Sequence, residues 1–461
     1  MAIEIQKLHE IFLACGSVTT DSRKIEEGQL FIGLKGENFD GSDYAFKAIE
    51  SGAAYAVVSD DWYKSHKKEI EAVERLSEKL IPVKDTLKTL WALARYHREN
   101  TFLGNERLTV IALTGTNGKT TTKELIKCVL ACKYDVTATE GNLNNNIGVP
   151  LSLLKINEDT EIAVIEMGAS HPGDIKELVE IAQPDYGLIT NVGKAHLLGF
   201  GSFEGVKKTK GELYEFIKAH GQKVFINSDS EDLREMAREI RGLRTIPYGV
   251  KYQGAVVLQA NGRYPFLKML VPVLKTNPFT GRIYHQEQML EVRTNLIGSY
   301  NADNVMAAIA VGKFFGVSEE QAVEAISRYV PSNNRSQMVR TMDNNLIVDA
   351  YNANPSSMEV ALKNFSLLDA RCKIALLGDM RELGKESQEE HKKIVDMVNF
   401  LIEHGKITKA YYVGEEFGKL TESFKDVDAL AEYLKENPIT RAMVLIKGSH
   451  SVQMEKLVDK L

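Results

Sequence analysis

The residues best suited to chemistry in this chain of 461 residues lie in the run Thr114-Gly115-Thr116-Asn117-Gly118-Lys119-Thr120-Thr121-Thr122. Two glycines allow a tight turn whose backbone N–H groups converge, and converging N–H groups hold phosphate oxygens. Lys119 supplies a point charge for terminal phosphates, and Thr120 a hydroxyl for Mg2+. The commonest phosphate loop carries a further glycine where Leu113 stands, so this is a shorter variant. A glycine turn without a ligand is the plain alternative. The convergence of two Gly, a Lys and three Thr on one corner speaks against it.

Other polar residues stand where apolar runs end. Glu166 follows Ile162-Ala163-Val164-Ile165 and suits a Mg2+ ligand, although acids at strand ends are common. His196, in Thr190-Asn191-Val192-Gly193-Lys194-Ala195-His196, reads equally as a structural residue or a ligand. Lys210, in Lys207-Lys208-Thr209-Lys210-Gly211-Glu212, belongs by itself to a solvated basic helix face. Asn144-Asn145-Asn146 before Gly148 and Pro150 reads as a turn, or as amides that read a ligand. In Gly298-Ser299-Tyr300-Asn301-Ala302-Asp303-Asn304, either Asn could cap a helix over Val305 to Gly312 or bond an adenine edge. Asp349-Ala350-Tyr351-Asn352-Ala353-Asn354-Pro355 follows one apolar run, with Arg335 upstream. Gly378 to Gly384, with His391 beyond, follows a second, and Lys447-Gly448-Ser449-His450 a third. Three polar exits from one sheet point to a binding edge that faces the phosphate loop.

The elements that must position these residues follow from periodicity. Leu108 to Leu113 is short, apolar and β-branched, and the apolar residues of Lys123 to Leu130 recur at helical spacing. A buried strand therefore feeds the glycine loop, which opens a helix. Further strands are expected at 162–165, 186–190 and 223–226, separated by helices, as in a doubly wound α/β sheet. From about 248 to 296 the alternation gives way to antiparallel strands (256–258, 267–274, 289–292), an inserted β-rich flap. A second α/β unit carries strands at 346–348, 373–377, 409–413 and 442–446. The N-terminal part mixes strands at 31–34 and 53–58 with a helix from Thr86 to Asn100, followed by a linker over 99–105. The expected fold class is α/β in three domains, 1–105, 106–328 and 329–461, in keeping with a length beyond one core.

Hydrophobic content of 44% and charged content of 26% are those of a globular protein. A net charge of −6 argues against a general nucleic-acid or membrane-surface binder. Cys15, Cys128, Cys132 and Cys372 form no metal-ligand doublet and read as free buried thiols in a reducing, cytoplasmic compartment. The first residues show no basic stretch followed by an apolar core, and no apolar run reaches the length of a membrane span, so neither a secretory leader nor a membrane segment is expected.

Together these residues resemble the Mur ligase superfamily over nearly the whole chain, most closely its D-alanyl-D-alanine-adding members. Thr114 to Thr120 is the superfamily's loop, while Asp349 to Pro355 and Gly378 to Gly384 resemble that branch in particular. The resemblance implies a small N-terminal UDP-sugar-binding domain, a central ATP-binding domain and a Rossmann-like C-terminal domain. It implies an ATP-dependent amide ligase that joins D-alanyl-D-alanine to UDP-N-acetylmuramoyl-tripeptide through an acyl phosphate, acting as a monomer in the cytoplasm for peptidoglycan synthesis. Gly115, Thr116, Asn117, Gly118, Lys119, Thr120 and Thr121 would hold the ATP phosphates, and Asn146 and Asn304 would lie at the nucleotide, Asn304 on the adenine side. Arg335 and Asp349 would reach it from the last domain. Thr120 and Glu166 would hold Mg2+, His196 a second Mg2+, and Lys210 matches the superfamily's carbamylated lysine, an anionic Mg2+ ligand. Lys119, His196 and Lys210 are thus the expected catalytic residues. Ser22, Arg23 and Lys35 resemble the segment that holds the UDP-sugar, and Asn352 and Asn354 are candidates for reading the dipeptide. Tyr300, Leu198 and Asn334 depart from residues usual at their positions, as does Ser42. The rivals are another amino-acid ligase of the superfamily, a folylpolyglutamate synthase, and a regulatory ATPase without ligase chemistry.

Overall fold

A computed structural model describes residues 3–103, 106–258, 265–276, 283–331 and 337–461. Three α/β sheets follow one another along the chain, with a β-ribbon inserted after the second. The first sheet has four parallel strands in the order Val18–Thr19, Leu30–Ile32, Tyr55–Ser59 and Leu80–Val83. Strand 30–32 is shorter than the sequence suggests. Leu34 instead turns back to accept from the Gly41 N–H, and a side chain at Gly33 would strike Ser42 N at 2.7 Å.

The helix Thr86–Asn100 forms as read, capped by the Asp85 carboxylate on the Lys88 N–H at 3.0 Å. Its stripe of Leu90, Leu93, Ala94 and His97 is buried against the helices Gly148–Leu153 and Asp174–Ala182 of the next unit. Arg98, fully buried, reaches Asp185 at 2.8 Å and the Gln183 carbonyl at 3.1 Å, while Asp185 also accepts from the Val110 N–H. Removing one partner of such a buried pair costs about 3–5 kcal/mol. The expected linker at 99–105 is thereby corrected over 99–103, while 104 and 105 lie outside the described residues. The helix runs to Asn100, and Phe102–Leu103 pairs antiparallel with Glu106–Arg107 directly beyond it.

The second sheet has six parallel strands in the order 245–248, 223–227, 186–189, 109–114, 162–166, 136–138. Val110, Ile111, Ala112 and Leu113 have no exposed surface, as a parallel strand covered on both faces requires. The chain leaves strand Thr109–Thr114 toward one edge and later returns to build the other. The glycine loop therefore sits at the point where the strand order reverses, the usual place for a ligand. The inserted ribbon, Val256–Leu258, Phe266–Thr276 and Ile283–Ile297, is antiparallel as expected. Its inward residues Leu267, Met269 and Val271 share a core with Val305 and Ile309 of the helix Asn301–Phe314, so the ribbon joins the central unit.

The third sheet runs 337–340, 345–349, 443–447, 373–378, 409–413, with only the first pair antiparallel. The thiols are free, but none is buried. Cys132 is exposed and the other three are half-buried, which corrects the expectation of core thiols. Among the described residues no helix is long and apolar enough to cross a membrane.

Candidate active site

The carboxyl ends of the second and third sheets face one another across a cleft of about 850 Å³. Thr116, Asn117, Gly118, Lys119 and Thr121 form one wall, and Asp349, Asn352, Asn354 and Lys447 part of the opposite one. The two glycines of the loop are set by steric need. Gly115 has φ +147°, and a Cβ there would lie 1.9 Å from Thr190 Oγ1. Gly118 has φ +78°, with Asn304 Oδ1 at 2.8 Å from such a Cβ.

A turn at 190–193, which the sequence reading treated only as context for His196, holds the loop's shape. Asn191 Oδ1 accepts from the Asn117 N–H at 2.9 Å, and its Nδ2 donates to the Asn117 carbonyl at 3.0 Å. Thr190 Oγ1 donates to the same carbonyl at 2.7 Å, and the Gly193 N–H donates to Thr116 Oγ1 at 2.9 Å. The helix Lys119–Leu130 starts directly at the loop, so its first N–H groups point at whatever the loop holds. Lys119 Nζ curls over the loop onto the carbonyls of Gly115 (2.8 Å) and Thr116 (3.2 Å).

Thr120 Oγ1 and Glu166 Oε2 are among the buried oxygens that stand without a hydrogen-bond partner, as is Thr114 Oγ1 at the start of the loop. The other Glu166 oxygen accepts from Asn144 Nδ2 at 2.8 Å. Leu113 and Glu166 are register partners on neighbouring strands, so the loop that leads into the helix bearing Thr120 leaves the sheet beside the exit that bears Glu166. Among the described residues no group of three His, Cys, Asp or Glu side chains gathers to hold a metal. One carboxylate and one hydroxyl beside a phosphate loop is nevertheless a donor set for Mg2+, which takes few protein ligands and fills its octahedron with water and phosphate oxygens.

Lys210 is 3% exposed, on the inner face of the helix Phe203–His220. Burial, and then the nearby Lys119 charge, push its ammonium down to about 7. Its Nζ sits 5.7 Å from the centre of the Phe200 ring. Neither Lys210 nor Thr120 forms part of the cleft wall, whereas Glu166 and His196 do. His196 is left-handed (φ +50°) and places Nδ1 against the carboxylate of Glu382, itself left-handed (φ +64°) on the third sheet's edge. The hydrogen bond to His196 holds the Glu382 carboxyl below its usual range. The Leu198 N–H adds a bond to the Glu382 carbonyl at 3.3 Å.

Of the asparagine cluster, Asn146 lines the cleft, and its carbonyl accepts from Trp91 Nε1 at 2.6 Å. Asn144, rather than Asn146 with its expected nucleotide role, is the one that touches Glu166. Asn301 and Asn304 cap nothing, because the helix begins at Asn301 rather than Val305. Asn304 lies under Gly118, accepting from Thr122 Oγ1 at 3.0 Å and donating to Asn301 Oδ1 at 2.9 Å. Asp349 pairs with buried Lys447 at 2.6 Å, and Lys447 also donates to the Asn352 carbonyl at 3.2 Å. Asn352 Oδ1 accepts from the next residue's N–H at 2.8 Å. Asn354 caps the helix Pro355–Leu367 and spans the cleft, its Nδ2 donating to Asn117 Oδ1 at 2.9 Å. Of the Gly378–Gly384 exit only Glu382 reaches the cleft. His391 is internal to that loop, accepting from the Met380 N–H at Nε2 and contacting the Ser387 carbonyl through Nδ1. Ser22, Arg23 and Lys35 lie on the first unit, outside the cleft wall, with Arg23 held by Asp21 at 2.8 Å. Arg335 lies outside the described residues.

Three family descriptions match successive parts of the chain: "Mur ligase family, catalytic domain" over residues 16–98, "Mur ligase middle domain" over 113–312 and "Mur ligase, glutamate ligase domain" over 334–450. The UDP-N-acetylmuramoyl-tripeptide--D-alanyl-D-alanine ligase of Bacillus subtilis (strain 168) is 33% identical over 454 residues, 96% of this chain and 92% of the relative. A crystal structure of MurF from Acinetobacter baumannii is 26% identical with a TM-score of 0.78, covering 100% of this chain and 99% of its own. MurF ligase from Thermotoga maritima, solved in complex with ADP, is 27% identical with a TM-score of 0.75, covering 96% of each chain.

Proposed function

The chain belongs to the Mur ligase family, and from that membership and the cleft's geometry we propose that it is the ATP-dependent ligase that joins D-alanyl-D-alanine to UDP-N-acetylmuramoyl-tripeptide. The observation that carries the reading is that the phosphate loop and the Asp349–Asn354 edge line one cleft and are joined across it by Asn354 and Asn117. A nucleotide and an acceptor held by different domains can then meet in one place.

A carboxylate is a poor electrophile toward an amine, so the reaction supplies it with a leaving group. A carboxylate oxygen of the tripeptide attacks the γ-phosphorus of ATP, and the β–γ P–O bond breaks to give ADP. The amine of D-alanyl-D-alanine then attacks the acyl carbon, loses a proton, and inorganic phosphate leaves. In this scheme the loop N–H groups hold the phosphates. Lys119 swings from its carbonyl contacts to the transferring group, where charge spreads over three oxygens. Thr120 and Glu166, whose oxygens lack partners, would hold Mg2+, and the ion would supply charge neutralisation for the phosphates. His196 is assigned to a second Mg2+, with Asn146, Asn304 and Asp349 at the nucleotide. A lysine near pKa 7 presents neutral amine at neutral pH. That is the form that adds to CO2, forming an N–C bond and losing a proton, so carbamylation of Lys210 to an anion is part of the proposal.

Ser22, Arg23 and Lys35 are assigned to the UDP-sugar end, and Asn352 and Asn354 to the dipeptide. The division at 105 and 328 is kept as our reading, supported by the separate parallel sheets on either side of each point, although the short pair 102–103 with 106–107 straddles 105. So are action as a monomer, since one chain supplies both cleft walls, and a cytoplasmic location, where ATP and the nucleotide-linked precursor are found. Phosphate release measured with each substrate alone and with both tests the function. The ligase needs both, and release indifferent to them points to a regulatory ATPase.

A further inference from the structure

Lys123 lies one turn beyond Lys119 on the helix that the phosphate loop opens, and it has no exposed surface. Its ammonium donates to the Thr139 carbonyl and pairs with Glu124 at 2.8 Å. Thr139, 1% exposed, follows the edge strand Val136–Ala138, and its N–H donates to the Val164 carbonyl at 3.0 Å. Its hydroxyl Oγ1 accepts from the Glu166 N–H, also at 3.0 Å. An unbroken set of contacts thus runs from the loop helix through Lys123 and Thr139 to the backbone of Glu166.

Burying a lysine against a carbonyl is an expensive way to fill a core, since an apolar side chain would avoid the desolvation. The lysine adds a fixed tie between two elements that no backbone ladder joins. The helix carries Thr120 and the strand exit carries Glu166, and each of these has a buried oxygen without a partner. We propose that Lys123, acting through Thr139, is a positioning residue that sets Glu166 against the phosphate loop for the divalent cation. The proposal rests on the assignment of Glu166 as a ligand.

Thr139→Val keeps the side chain's shape and removes only the acceptor, and Thr139→Ser restores it. Mn2+ titrated into the ADP-bound full-length protein, with free Mn2+ read by electron paramagnetic resonance, reports the site without turnover. T139V and K123M are expected to weaken Mn2+ by about 10–100-fold, the usual cost of losing a residue that orients a ligand. ADP binding without metal stays unchanged, and T139S binds Mn2+ as the parent does. Because Thr139 acts through Glu166, T139V in an E166Q background is expected to add almost nothing. A T139V protein that melts lower yet binds Mn2+ normally overturns the proposal, as does an equal loss in the E166Q background. If E166Q alone leaves Mn2+ affinity unchanged, the ligand assignment itself fails, and the proposal with it. Should K123M not fold, the T139V and T139S pair decides the Thr139 step, and K123Q, a shorter neutral donor, decides the Lys123 step: it is expected to weaken Mn2+ by a similar factor, and normal Mn2+ binding by K123Q overturns the role of Lys123.

Discussion

Gly118→Ala isolates what the phosphate loop demands of its backbone. The residue sits at φ +78°, and a left-handed non-glycine residue costs about 1–2 kcal/mol. The new Cβ would lie 2.8 Å from Asn304 Oδ1 and 3.2 Å from its Nδ2. Asn304 is not free to move, because Oδ1 accepts from Thr122 and Nδ2 donates to Asn301. Displacing it breaks one or both bonds at about 0.5–1.5 kcal/mol each, so the strain totals about 1.5–5 kcal/mol. Expressed wholly as lost affinity for ADP, that is roughly 10- to 4,000-fold at about 1.4 kcal/mol per factor of ten. Calorimetric titration of ADP, with thermal unfolding of the same samples, measures how the strain divides between binding and stability. Gly141→Ala is the control, since φ is +54° there but no atom lies within 4 Å of the new Cβ. It should show the backbone cost alone, on stability, with ADP affinity kept. A G118A protein that binds ADP within a factor of about three of the parent and melts at the same temperature would refute the steric account.

Lys119→Ala should lower the rate of phosphate release by about 10²–10³-fold or more with folding intact, as loss of a charge clamp does; an unchanged rate removes it from the chemistry. Lys210→Met should abolish turnover yet raise stability by about 1–3 kcal/mol in a denaturant titration, because a buried amine is replaced by an apolar chain of similar size. A destabilised K210M would contradict that. Asp349→Ala leaves the buried Lys447 ammonium without its carboxylate and should cost about 3–5 kcal/mol in the same assay. The stability profile with pH follows from His9 and His97, whose rings meet at 2.9 Å and whose pKa values are both lowered, chiefly by burial. The unfolded chain then binds more protons near its own pKa of 6.5 than the native state does. The pair's contribution is complete above that pH and falls as pH drops below it. A His97→Gln variant should flatten the decline of the urea midpoint between neutral and mildly acid pH, and an unaltered slope would rule the pair out.

The central strands were legible because parallel strands buried on both faces read as unbroken apolar runs, and Glu166, Asp349 and Lys447, which end such runs, line the cleft; the outer strands Val18–Thr19, Leu80–Val83, Val136–Ala138, Thr245–Tyr248 and Gln337–Arg340, short or covered on fewer sides, were not. Tertiary placement was less legible. Lys207 and Lys210 look alike in sequence, yet Lys207 meets Asp232 near the surface while Lys210 is buried. The signal was there in the helical period: Val206, Lys210, Leu213 and Ile217 form one stripe, so Lys210 sits on the apolar side. The same period puts Lys123 in line with Ile126 and Leu130 on the buried face of the loop helix. Which of three adjacent asparagines meets Glu166 could not be read, because it depends on a bond between the Gly168 N–H and the Asn144 carbonyl made across the fold. The ring of bonds from Thr190 and Asn191 to Asn117 is likewise a contact of high sequence separation, with no local pattern to announce it.

The central claim is that the tripeptide carboxylate itself becomes phosphorylated, and the fate of its oxygen tests this most directly. With both oxygens of that carboxylate labelled with ¹⁸O, and ATP and D-alanyl-D-alanine present, the released phosphate should carry one ¹⁸O and the amide product should keep the other, read by mass spectrometry. Phosphate free of label would mean that water, not the carboxylate, attacks ATP in this cleft, and would contradict the ligase mechanism.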